Sequence, residues 1–140
     1  MTLRLPVGEV TVLQGSGLVR RLLLGLLDGV SGRIAIGDDV GVVRLAAPER
    51  PSVDACVAAV DGLRDTAATI VLVDRLTDGL DAGGRRRVLA ALRTIATGRA
   101  VLVDDDDPVA ALAVADGLLR ADPQRGVVVE PVESLDYLAS

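Results

Sequence analysis

Apolar and polar positions follow two rhythms along this 140-residue chain. Val10, Val12 and Leu13, within Glu9 to Gln14, have the β-forming character of a strand, which Gly15-Ser16-Gly17 closes. Leu18 to Leu27 is apolar on nearly every side and has the length of a buried helix. Gly29 to Gly32 predicts a turn, and Arg33 to Ile36 a short strand. Gly37-Asp38-Asp39 predicts a second turn, before a strand over Val40 to Leu45. Pro48 and Pro51 make Ala46 to Ser52 a loop. Val53, Cys56, Val57, Val60 and Leu63 then fall at helical spacing.

The second half is more regular. Thr69 to Val73 is a continuous apolar run ending in Asp74, the pattern of a parallel strand buried on both faces. Asp81 to Thr97 reads as an amphipathic helix, with Val88, Leu89, Leu92 and Ile95 on one side and Arg85, Arg86 and Arg93 elsewhere. Ala100 to Val103 predicts another buried strand, and Pro108 to Ala115 another helix. Leu118-Leu119 and Gly126 to Val129 predict short strands around a turn at Pro123. Strands alternating with helices predict one α/β domain over residues 1–140, with a largely parallel sheet.

Three segments, in order, resemble the nucleotide-binding domain of ABC-type ATPases. Gly8-Glu9-Val10-Thr11-Val12-Leu13-Gln14-Gly15, followed by Arg21 to Leu27 and Ser31-Gly32-Arg33-Ile34, is similar to the strand, P-loop helix and next strand. Ile70-Val71-Leu72-Val73-Asp74, continuing through Gly79-Leu80-Asp81, resembles the Walker B strand running into the D-loop. Ala100-Val101-Leu102-Val103, Asp107-Pro108, Ala115-Asp116 and Gly126-Val127-Val128 resemble the switch-region strand, its helix and the closing hairpin. The resemblance implies a P-loop NTPase-like α/β core without the helical subdomain, because only Ala46 to Ala68 separates the flanking strands and no Ser-Gly-Gly occurs there.

The chain departs from that family where its chemistry resides. A P-loop needs Gly-x-x-x-x-Gly-Lys-Ser/Thr, with backbone N–H groups around the phosphates, lysine on the outer phosphates and a hydroxyl on magnesium. Counted from Gly15, the second glycine falls on Arg20, the lysine on Arg21 and the hydroxyl on Leu22. Leucine cannot ligate Mg²⁺, and a bulky side chain at position 20 opposes close backbone approach. Asp74 matches the Walker B aspartate, but Arg75 stands where the catalytic glutamate belongs. Leu45 replaces the Q-loop glutamine and Asp106 the switch histidine.

Composition narrows the chemistry further. All 15 basic residues are arginine, and histidine, tryptophan and phenylalanine are absent. This excludes histidine-based triads, histidine-ligated metals and lysine Schiff bases. Cys56 is the single cysteine, which excludes disulfide scaffolds and cysteine-rich metal sites and predicts a small core hydrophobe. A net charge of −5 and a pI near 4.6 oppose non-specific nucleic-acid binding. No stretch approaches ~18 uninterrupted apolar residues, so no direct membrane insertion is expected, and Met1 to Gly8 lacks a signal-peptide run; the expected location is the cytoplasm.

The sequence therefore predicts a catalytically inactive ABC-ATPase-like protein, with no required cofactor, serving as a structural or regulatory subunit. Its expected partner is a protein: an intact ABC-type ATPase, a transporter component or a second copy in a homodimer. An alternative keeps a nucleotide such as ATP, or phosphate, at Gly15, Gly17, Arg20 and Arg21 without hydrolysis. A third places Mg²⁺ or another divalent metal on Asp74, Asp104 and Asp106 at the carboxyl edge of the sheet for phosphoryl transfer. Against it, Asp107 reads as an N-cap before Pro108 at N1, its acidic neighbours lying in solvent near the positive end of the helix. Arg85-Arg86-Arg87 reads as a solvated helix face, and Leu135, Tyr137 and Leu138 as an apolar tail patch.

Overall fold

Strands rich in valine and leucine pack both of their faces, and this decides the architecture. The computed structural model describes residues 7–33, 41–122, 124 and 126–131. In chain order these form β1 (Glu9–Leu13), α1 (Gly17–Arg33), β2 (Gly41–Ala46), α2 (Val53–Asp61), β3 (Ala68–Asp74), α3 (Ala82–Ile95), β4 (Ala100–Asp104), α4 (Pro108–Leu112), β5 (Gly117–Asp122) and β6 (Gly126–Pro131). One six-stranded sheet runs in the order β2-β3-β4-β1-β5-β6, parallel throughout except for the antiparallel pair β5–β6.

Because side chains alternate across a strand, neighbouring residues serve opposite faces. Val10 and Val12 of β1, Val71 and Val73 of β3, Val101 and Val103 of β4 and Leu118 of β5 meet Cys56 and Val60 of α2 and Val88, Leu89, Leu92 and Ile95 of α3. Leu13, Leu72, Leu102 and Leu119 face the other way, onto Leu23 and Leu24 of α1. The result is helix, sheet and helix layers, with the sheet's central strands fully enclosed.

Caps set the helix boundaries. Ser52, Asp81 and Asp107 each accept a hydrogen bond from the backbone N–H of the third residue of the following helix, and Pro108 occupies the first turn of α4. The helices end earlier than apolar spacing predicts: α2 at Asp61 rather than Leu63, α3 at Ile95 rather than Thr97, and α4 at Leu112 rather than Ala115. After α3 the chain turns through Gly98, whose φ of +75° favours glycine, and Arg99 N–H closes on the Ala96 carbonyl at 2.9 Å.

The expected turn at Gly29 to Gly32 is overturned, since α1 continues through it to Arg33. Glycine costs a helix only about 1 kcal/mol relative to alanine, and the packing of Leu23 and Leu24 on the sheet offsets it. Arg33 accordingly ends a helix instead of opening a strand; the rest of that expected strand, the turn at 37–39, Pro123 and the tail patch at 135–138 lie outside the described residues. No helix among the described residues is long and apolar enough to cross a membrane.

Candidate functional site

The carboxyl ends of β1 and β4, adjacent in the sheet, open into a crevice of the kind where open α/β sheets bind ligands. From β1 the chain turns through Gln14, Gly15 and Ser16 into α1. Gly15 has a φ of +126°, and a Cβ there would lie 3.0 Å from the Val19 side chain, so both conformation and space require glycine. Ser16 Oγ accepts the Val19 N–H at 3.3 Å. A cavity of about 510 Å³ lies against this turn, lined by Gly15, Ser16 and Gly17 on one side and Asp105, Asp106 and Leu112 on the other.

Arg20 crosses the crevice. Its Nη1 lies 3.0 Å from the Asp104 carboxylate and donates to the Asp105 carbonyl, and its Nη2 donates to Asp106 Oδ1 at 2.8 Å. Asp104 is 2% exposed and the Arg20 side chain 14%. Burial pushes the Asp104 carboxyl above its usual range; Arg20 opposes this, while Asp74 and Asp106 add to it. The N-terminal end of α1 is thus coupled by the chain's own guanidinium to the acidic loop after β4.

Asp105 is the hub of that loop. It is buried, and accepts from the Thr77 hydroxyl at 2.5 Å, Arg85 Nη1 at 3.1 Å and the Asp107 backbone N–H at 2.8 Å. Arg85, from the first half of α3, therefore ties α3 to the β4–α4 loop; this overturns its assignment to a solvated face, whereas Arg86 and Arg87 are exposed as expected. Asp104 and Asp105 likewise lie inside the protein instead of in solvent, because the loop folds back under Arg20 and Arg85.

The structure brings Gly15, Gly17, Arg20, Asp104 and Asp106 to one place. Arg21 is exposed and does not line the cavity. Asp74 sits beside Asp104 in the β3–β4 register, yet its carboxylate is held by Arg44 at 2.7 Å and by Arg75 at 3.4 Å. Among the described residues no three acidic or cysteine side chains gather as they would to hold a metal ion. Sequence reading missed Asp105, Thr77 and Arg85. The inward alternation of β4 beyond Val103 was the available signal for a buried carboxylate at 105, and Arg85, one helical turn before Leu89, marked an arginine near the buried stripe.

Arg75, following β3, has a φ of +49°, a conformation few residues other than glycine adopt. Its N–H donates to the Asp104 carbonyl at 2.9 Å, which fixes the chain as it leaves β3. Cys56 packs in the core as expected, its thiol 3.4 Å from the Leu76 carbonyl.

The sheet order and the glycine turn from the central strand into a helix give a mostly parallel α/β fold similar to that of an ABC-type ATPase subunit. Among solved structures, cbiO1 from Clostridium perfringens, described as part of the ABC transporter complex cbiONQ, matches 98% of this chain and 82% of its own, with a TM-score of 0.58 and 13% sequence identity. No protein-family model and no curated protein sequence matches the chain.

Proposed function

We propose that this chain is a non-catalytic ABC-ATPase-like module that acts as a structural or regulatory subunit through protein contacts. The observation that carries the reading is Arg20. It stands where a P-loop has its second glycine and crosses the crevice with its charge committed to Asp104 and Asp106, while the cation at the lysine position, Arg21, is exposed and does not line the cavity. The surroundings agree. The residue at the magnesium-hydroxyl position is Leu22, 65% exposed, and the residue after Asp74 is a cation rather than a carboxylate that would orient water. The donor set for an ATP–magnesium group does not fit, and no reaction step is assigned to it. The partner is an intact ABC-type ATPase, a transporter component or a second copy, and the setting is the cytoplasm.

The test is MgATP turnover by the purified protein. No release of phosphate above the buffer rate is expected; turnover that disappears in Asp74→Ala would overturn the reading.

The 510 Å³ cavity against Gly15 to Gly17 favours a second reading, in which nucleotide or phosphate binds without hydrolysis. A ligand that binds only the folded state raises the melting temperature with concentration. Titration with ATP, ADP, GTP and phosphate separates the readings, and a flat response to all four removes the second.

A further inference from the structure

Between β3 and α3, Thr77 to Leu80 form a turn. Leu80 N–H donates to the Thr77 carbonyl at 3.1 Å, and Gly79, at the third position, has a φ of +87°. Asp78 N–H donates to the Arg75 carbonyl at 3.2 Å. The peptide group that joins Asp78 to Gly79 differs: among the described residues neither its carbonyl nor its N–H makes a hydrogen bond. The Asp78 carboxyl is half-buried and likewise makes no hydrogen bond or ion pair with a described residue. Gly79 is exposed, and without a Cβ its nitrogen is unhindered as a nucleophile.

We propose that Asp78–Gly79 is a site of spontaneous backbone rearrangement, at which aspartate converts to isoaspartate through a cyclic imide. The Gly79 nitrogen bonds to Cγ of the protonated Asp78 carboxyl, and the carboxyl's hydroxyl leaves with the amide proton as water. Water then opens the five-membered ring at either carbonyl. Opening at Cγ restores aspartate. Opening at the former backbone carbonyl leaves the chain running through Cβ and Cγ, with one water lost and one regained. The free peptide group turns to meet the carboxyl without giving up a hydrogen bond, a loss that ordered backbone would have to bear. Burial raises the Asp78 carboxyl above its usual range, with Asp106 and Asp105 adding to this and Arg75 and Arg85 opposing it. More of it therefore carries the proton that the leaving hydroxyl needs.

The same dipeptide occurs at three other places, and each of those is held. At Asp61–Gly62 the glycine N–H donates to the Ala58 carbonyl at 2.9 Å, and the carboxylate lies 3.3 Å from Arg64. At Asp116–Gly117 the carboxylate accepts the Val10 N–H at 2.9 Å and lies 3.5 Å from Arg93, while Gly117 is fixed in β5. Asp28–Gly29 lies within α1, whose hydrogen-bond ladder engages the glycine N–H. Local chemistry makes four candidates and the fold leaves one free. The rearrangement lengthens the backbone between Thr77, whose hydroxyl donates to Asp105, and Asp81, which caps α3. It needs neither nucleotide nor partner, so it stands or falls apart from the proposed function.

Incubation of the full chain in mildly acidic heavy-oxygen water, followed by digestion and electron-transfer mass spectrometry, tests the proposal. Isoaspartate carrying one solvent oxygen is expected at position 78, roughly 10-fold or more above positions 28, 61 and 116. The same incubation in urea should convert all four at comparable rates, because unfolding removes the bonds that hold the other three. Intact native protein should also show a species lighter by one water. That species should be lost in Asp78→Glu, whose longer side chain would have to close a six-membered ring. A native protein that stays unconverted at 78 while the urea-unfolded chain converts overturns the proposal. So does native conversion at 28, 61 or 116 to the same extent as at 78, or a water-loss species that persists undiminished in Asp78→Glu.

Discussion

Arg20 and Asp104 meet at 3.0 Å where water scarcely reaches, one at the start of α1 and the other at the end of β4. A buried pair of this kind is costly to break from one side, because the remaining charge keeps its desolvation penalty without its counter-ion. Arg20→Met should therefore destabilise the fold by about 3 kcal/mol, seen as a lower urea midpoint with an unchanged slope. In an Asp104→Asn background the same change should cost distinctly less. Equal costs in the two backgrounds would mean that the pair is not coupled.

The raised Asp104 carboxyl gives a pH dependence of defined sign. Burial, together with Asp74 and Asp106, makes the folded state hold this proton more tightly than the unfolded chain, against the pull of Arg20 and Arg75. The associated stability is complete below the ordinary carboxylate value of about 3.9 and is lost as pH rises through the folded-state value. Compared with Asp104→Asn, the wild type should lose stability as pH rises from the acid range toward neutral. Urea midpoints at a series of pH values check this, and parallel curves for the two proteins would refute it.

Asp105 joins three elements: Thr77 after β3, Arg85 in α3 and the turn into α4. Asp105→Ala leaves a buried hydroxyl and a guanidinium without their acceptor, so a loss of about 3–5 kcal/mol is expected by chemical denaturation. Asp106→Ala, at an exposed carboxylate of the same loop, should cost less than about 1 kcal/mol. A reversed order would relocate the hub.

Where α2 and α3 pack, Gly84 has no room for a side chain. A Cβ there would stand 2.5 Å from Cγ2 of Val53, a stiff β-branched side chain. Alanine ordinarily favours a helix over glycine, yet Gly84→Ala should destabilise by about 1–3 kcal/mol through overpacking. Gly83→Ala, one residue earlier, has only the Asp81 carboxylate within reach at 3.8 Å and serves as the control.

Cys56 should be chemically silent. Burial raises its thiol pKa, which lowers the thiolate population that reacts, and the side chain is enclosed by the core. Ellman's reagent should label it only in step with global unfolding; rapid labelling of the native protein would contradict the packing described.

Residue order alone determined the layers. Short continuous apolar runs such as Thr69 to Val73 have the length of strands covered on both faces, and Asp81 and Asp107 announced two helix starts through short-range cap chemistry. Spacing also gave the composition of the crevice, with Gly15, Gly17, Arg20, Asp104 and Asp106 all singled out. It did not give their pairing. Arg20 and Asp104 are 84 residues apart in the chain, and only the parallel register of β1 with β4 makes them neighbours. The same holds for Arg85 and Asp105: alternation and helical spacing signal their nearness to the core, but only the packing of α3 against the loop makes them partners. The length of α1 was decided by tertiary structure too, because its glycines read locally as a turn while Leu23 and Leu24 earlier in the helix pack on the sheet. Local chemistry writes strands, caps and turns, since those energies act within a few residues. Which charges share a low-dielectric site depends on the long-range closure of the sheet, and that closure sets the state of the crevice.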